Sequence, residues 1–286
     1  MDRIQRALDI ARTQRPMSVP APVARERVAL RDPEEAPSRR SGEEVRGPAP
    51  PAQCQDLPGR CVPLDRRAAR ERRVVLSGDP DPSAHAYRML RTLVLQQARA
   101  QQLRTIGVVS AVDGEGKTLT AANLALSIAA EPNQSVLLLD LDLKSPSVAP
   151  LLGISGEDGL EGWLAGSVTD LAATFVKLEG LERLRVLPTL QSVTGRSEVL
   201  AGARARDLLA TLTHDYPQCL ALIDLPPVLL ADDVLTLAPL LDAILIVVAE
   251  GRTKREDVAR LQELLRGVKV LGTVLNVSAE SEKRAY

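Results

Sequence analysis

Residues Ser110–Ala125 read SAVDGEGKTLTAANLA. An aliphatic run, Thr105–Ala111, leads into the segment, and a helical pattern, Lys117–Ala130, leads out of it. A turn between a strand and a helix, with Gly114 and Gly116 inside it and Lys117-Thr118 at its end, is the arrangement of a phosphate cradle. The two glycines let backbone N–H groups approach an anion without a Cβ in the way. The helix N-terminus adds partial positive charge. Lys117 would reach the β- and γ-phosphates, and the Thr118 hydroxyl would ligate Mg²⁺. Ala111 stands where such a loop usually has its first glycine, a substitution that is tolerable if φ there is negative. The turn Asp113, Gly114, Glu115, Gly116, with Lys117, Thr118 and Leu119, is therefore the expected ATP-binding loop.

Outward from this loop, aliphatic runs alternate with helical ones. Strands are expected at Val136–Asp142, Leu184–Pro188, Cys219–Leu225, Ala243–Glu250 and Val268–Asn276. Helices are expected at Ser83–Ala98, Arg204–His214, Asp232–Leu241 and Lys254–Leu265. Near-continuous Val/Ile/Leu strands separated by helices predict an α/β fold, doubly wound, with a mainly parallel sheet covered by helices on both faces. In such sheets ligands bind at the carboxyl ends of the strands. Two expected strands end there in acids, Asp140-Leu141-Asp142 and Asp224, so Lys117, Thr118, Asp140, Asp142 and Asp224 are expected to converge around one Mg²⁺–phosphate.

The rest of the chain is different in texture. Residues 16–82 hold 12 of the 20 prolines, and are expected to form a disordered linker ahead of a folded domain at 83–278. Residues 1–15, MDRIQRALDIARTQR, place Met1, Ile4, Leu8 and Ala11 on one helical face among arginines. This short basic amphipathic helix could lie on a membrane, dock on a partner or pack on its own protein. A tail, 279–286, ends in Tyr286.

Net charge is −1, so no global field recruits nucleic acid. The five aromatic residues are too few for a base-stacking platform. Cys54, Cys61 and Cys219 form no disulfide framework and fit a reducing cytoplasm. Neither a signal peptide nor a transmembrane segment is apparent.

These motifs, in this order, resemble the BY-kinases, the bacterial tyrosine autokinases of capsule and exopolysaccharide export (the CpsD/CapB type), in the MinD/ParA-like branch of P-loop NTPases. The resemblance runs from about Ser83 to Ser278. AYRMLRT (Ala86–Thr92) resembles the helix that assembles subunits into a ring, and DGEGKTLTAANLA resembles a phosphate loop that commonly lacks its first glycine. VLLLDLDLKSPSV, GLEGWLAG, SEVLAG, the long segment around LIDLPPVLLADDV, and VLGTVLNVS follow in the family's order.

The resemblance implies that Lys117, Asp140, Asp142 and Asp224 are catalytic, with Thr118 and the three aspartates on Mg²⁺. One of the aspartates in the DxD motif would orient or deprotonate the attacking tyrosine. Asn276 would meet the adenine. Arg88 and Arg91 would bridge subunits of a homo-oligomeric ring, and Tyr286 would be the phosphoacceptor, modified in trans. It further implies a cytoplasmic protein held at the inner membrane through a membrane-spanning polysaccharide co-polymerase.

Several positions depart from the family's pattern. His85 replaces a glutamate, Lys144-Ser145-Pro146 and Ala149 replace a basic, histidine-bearing flank, Thr194-Gly195-Arg196 replaces a Pro-Asn-Pro turn, and the tail has one tyrosine. Two other readings stay open: an ATP-binding ring-assembly partner without kinase activity, and a ParA/MinD-type positioning ATPase.

Overall fold

In the computed structural model, residues 59–78, 81–157 and 159–277 are described. The expected helix 1–15, the linker as far as residue 58, Cys54, the tail 279–286 and Tyr286 lie outside them.

Eight strands form one sheet: β1 (Arg60–Val62), β2 (Thr105–Ser110), β3 (Ser135–Asp140), β4 (Val176–Leu178), β5 (Leu184–Leu187), β6 (Cys219–Asp224), β7 (Ala243–Ala249) and β8 (Val270–Asn276). Their order is β1-β4-β5-β3-β6-β2-β7-β8. From β5 to β8 every neighbouring pair is parallel; β4 is antiparallel to β5, and β1 pairs parallel with β4. The expected mainly parallel sheet is present.

Alternate residues of each strand point to opposite faces. Leu137, Leu139, Ile223, Ile244 and Ile246 build one buried cluster, and Ile106, Val108, Leu138, Leu222 and Leu245 build the other. Both faces are therefore apolar, which is why the strands read as unbroken aliphatic runs.

Helices cover both faces. On the second face lie α1 (Arg66–Glu71), α2 (Pro82–Gln101), α3 (Lys117–Ala129) and α4 (Val148–Leu152). On the first lie α5 (Leu160–Ala165), α6 (Arg196–Ala201), α7 (Ala203–Asp215), α8 (Asp233–Leu237) and α9 (Arg255–Leu264).

The segment 59–76 differs from the expected linker, because it carries β1 and α1. Val62, Ala69, Val74 and Leu76 are buried in the second cluster. Asn123 of α3 accepts a hydrogen bond from the Val75 N–H at 2.8 Å and donates to the Arg73 carbonyl at 3.1 Å. Nine of the twelve prolines of the 16–82 stretch precede residue 59, so the composition that argues for disorder thins out where β1 begins.

Candidate nucleotide site

β2 delivers the loop to the carboxyl edge of the sheet. Its last residues are pinned by the turn after β6: the Ser110 and Ala111 carbonyls accept from Val228 N at 2.9 Å and Leu229 N at 3.1 Å. Ala111 is fully buried and is absent from the residues with positive φ, so its methyl group is accommodated there. Gly114 and Gly116 have φ of 78° and 88°. A Cβ on Gly116 would run into the Asn276 amide, so this glycine is favoured by its conformation and lets Asn276 keep its hold on the loop.

Glu115 faces inward. It is 1% exposed, accepts from Val112 N at 3.0 Å, and accepts a hydrogen bond from the Thr253 hydroxyl on its other oxygen. It fastens the loop to the segment after β7 instead of facing a ligand. Asp113, Gly114, Gly116, Lys117, Thr118 and Leu119 line a cavity of about 300 Å³, with Asp142, Ser145, Ser147 and Leu151 opposite.

Lys117 is held by acids. Its Nζ lies 2.7 Å from Asp142 Oδ2, 3.6 Å from Asp224 Oδ1 and 3.2 Å from Thr118 Oγ1. Burial alone would lower its pKa, but Asp224 and Asp142 outweigh burial and raise it above the ordinary lysine value. The Thr118 hydroxyl donates to Asp224 Oδ2 at 2.6 Å. Burial pushes Asp224 up to about 6 in spite of Lys117 and Thr118.

Asp140 lies beside this group but makes no hydrogen bond to it among the described residues. It pairs in register with Asp224 on the next strand. Its oxygens, however, are taken by the N–H groups of Asp142 at 3.1 Å and of Ser147 and Val148 at 2.9 Å each. It caps the start of α4 and fixes the turn carrying Asp142. Among the described residues no three acidic, histidine or cysteine side chains gather as a metal-binding cluster, and Asp140 is already engaged by backbone N–H groups.

What remains still fits a magnesium–nucleotide. Asp224 Oδ1 is buried and makes no hydrogen bond. A fixed carboxylate oxygen beside a threonine hydroxyl is the donor set a hard cation takes at a phosphate loop.

Asn276, at the end of β8, donates to the Glu115 carbonyl at 3.0 Å, so it touches the loop from the side away from Asp142. Arg252, which the sequence reading passed over, donates to the Gly114 carbonyl at 2.9 Å. The signal for it was present: Arg252-Thr253 follows a strand that neighbours the loop strand.

On α2 the two expected subunit-bridging arginines differ. Arg88 is exposed, whereas Arg91 is tied within its own chain to the Ser127 carbonyl at 3.1 Å and to Glu131 at 2.7 Å. No helix among the described residues is long and apolar enough to cross a membrane.

A family model of the ParA type, described as "NUBPL iron-transfer P-loop NTPase", matches residues 102–284. The tyrosine-protein kinase YwqD of Bacillus subtilis is 28% identical over 225 residues, covering 78% of this chain and 93% of that protein. The succinoglycan biosynthesis transport protein ExoP of Rhizobium meliloti is 29% identical over 75% of this chain, which spans only 27% of ExoP. Among solved structures, the kinase domain of the Escherichia coli tyrosine kinase ETK is 26% identical, with a TM-score of 0.63, covering 77% of this chain and 89% of that one.

Proposed function

Because the chain belongs to the ParA family of P-loop NTPases, and within it groups with the BY-kinases, we propose that it is an ATP-dependent protein-tyrosine autokinase. Its role would be in polysaccharide (capsule or exopolysaccharide) biosynthesis and export, at the inner membrane beside a membrane-spanning co-polymerase. The observation that carries this reading is the buried network of Lys117, Thr118, Asp142 and Asp224 around the cavity at the phosphate loop.

Thr118 and Asp224 would hold Mg²⁺, which neutralises charge on the transferring phosphoryl group. Loop amides and Lys117 bind and orient the phosphates. Asp142 lines the cavity and is assigned as the carboxylate that accepts the proton of the incoming tyrosine hydroxyl. Asp140 is assigned as a positioning residue that holds the turn bearing Asp142. The acceptor is Tyr286 of a neighbouring subunit, so the apparent rate rises with protein concentration.

Mass spectrometry of the full chain, incubated with Mg²⁺–ATP and the cytoplasmic tail of the co-polymerase, tests this. Phosphate on Tyr286 in the wild type and none in Lys117→Ala is the expected result. Bound ATP with no phosphotyrosine would leave the second reading, an ATP-dependent assembly partner. The diversion of Asp140 from the metal position is the observation that favours it.

A further inference from the structure

Two side chains grip consecutive carbonyls of the phosphate loop from one flank: Asn276 on Glu115 and Arg252 on Gly114. Neither lines the phosphate cavity, whose far wall is Asp142, Ser145, Ser147 and Leu151 on the opposite flank. A nucleotide with its phosphates over the start of α3 must therefore leave the cavity on one side or the other. The Asp142 side holds the carboxylates and receives the acceptor under the reading above. The β7–β8 side is left for the nucleoside.

That side offers no aromatic platform. Among the described residues Phe175 packs on Tyr216, Trp163 carries Arg204, and Tyr87 is half-buried beside Asn123 and Thr120. Arg252 offers the one thing that can replace a ring, a planar cation with an exposed face. It is also held in place. Its neighbour Thr253 accepts from Ala249 N at 2.8 Å and donates to buried Glu115, so the segment after β7 cannot drift from the loop. Only one donor of the guanidinium is spent on Gly114; a guanidinium has five. The same corner holds Val277, a β-branched residue at φ 57° that directly follows Asn276 and is 55% exposed. Such a backbone is rare and gathers at binding sites.

We propose that Arg252 is a nucleoside-recognition residue of this site beside Asn276, its guanidinium lying against a purine base while one N–H stays on the Gly114 carbonyl. The proposal rests on the nucleotide reading above and adds to it the side chain that distinguishes a nucleotide from bare triphosphate.

The test compares two ligands on the full chain, Mg²⁺–ATP and Mg²⁺–tripolyphosphate, by titration calorimetry of the wild type, Arg252→Ala and Arg252→Lys. The expected result is a loss of about tenfold in ATP affinity for Arg252→Ala, with tripolyphosphate unchanged within about twofold. Arg252→Lys recovers only part of the loss, because an ammonium has no planar face. Equal weakening of both ligands would place Arg252 on the phosphates or on loop geometry and overturn the proposal. No change with either ligand would make it a surface bystander, again overturning it. A wild type that binds neither ligand would instead defeat the underlying nucleotide reading, which the variants leave visible as a separate result.

Discussion

Asp224 is a fully buried carboxyl, with one oxygen on Thr118 and the other facing Lys117 without a hydrogen bond. Its folded pKa is about 6 against an ordinary 3.8, so the folded chain holds a proton that the unfolded chain releases. Stability of the nucleotide-free protein is then higher below that window and falls as pH rises from about 4 to 6. Asp140, also raised, acts in the same direction. Thermal unfolding of the apo protein between pH 4.5 and 7.5 is expected to show this decline, and Asp224→Asn is expected to flatten it; an unchanged slope would refute the assignment. Gly116→Ala meets a left-handed backbone and must displace the Asn276 amide from the loop. The backbone alone costs about 1–2 kcal/mol, and ATP affinity, read by calorimetry, should fall below detection. The loop, Lys117 and the strand-end acids were all legible in the sequence. What could not be read was the direction each carboxylate faces. Asp140 and Asp142 sit two apart at the end of one strand, and only the backbone N–H groups of α4 decide that the first is consumed as a cap.

The segment β1–α1 shows where periodicity gives out. Strands of three residues and helices of six are too short for a recognisable period, and they adjoin a proline-rich stretch. The long elements, α2, α3 and the six parallel strands, were legible because each presents a sustained apolar pattern. What holds β1–α1 is the ladder to β4, a small set of buried side chains and the two-sided amide of Asn123. Asn123→Ala leaves the Val75 N–H and the Arg73 carbonyl without their partner and should cost about 1–3 kcal/mol. Chemical denaturation measures the loss, and protease cutting near Arg73 should quicken in the variant. A stability equal to wild type would mean the segment is held by the β4 ladder and apolar contact without help from Asn123.

The assembly expected from the AYRMLRT helix separates its two arginines. Arg88 is exposed beside Met89 and Leu93, which are 54% and 56% exposed, one and five residues further along the same helix. If α2 joins subunits as the resemblance implies, Arg88→Ala lowers the oligomer mass seen by light scattering and leaves monomer stability within about 0.5 kcal/mol. Arg91→Ala, which breaks the ties to Ser127 and Glu131, should lower monomer stability as well. Equal behaviour of the two variants would show that the intrachain ties do not matter.

The strand order has a further result for how the molecule comes into being. β2 lies between β6 and β7, so the loop that follows it is anchored by Val228, Leu229, Arg252, Thr253 and Asn276, all made more than a hundred residues later. Contacts so distant in sequence form late and slowly. During synthesis the loop emerges early but cannot take its shape until the chain has passed Asn276. Capture of ATP by a nascent chain would then mark the moment at which β8 has joined the sheet.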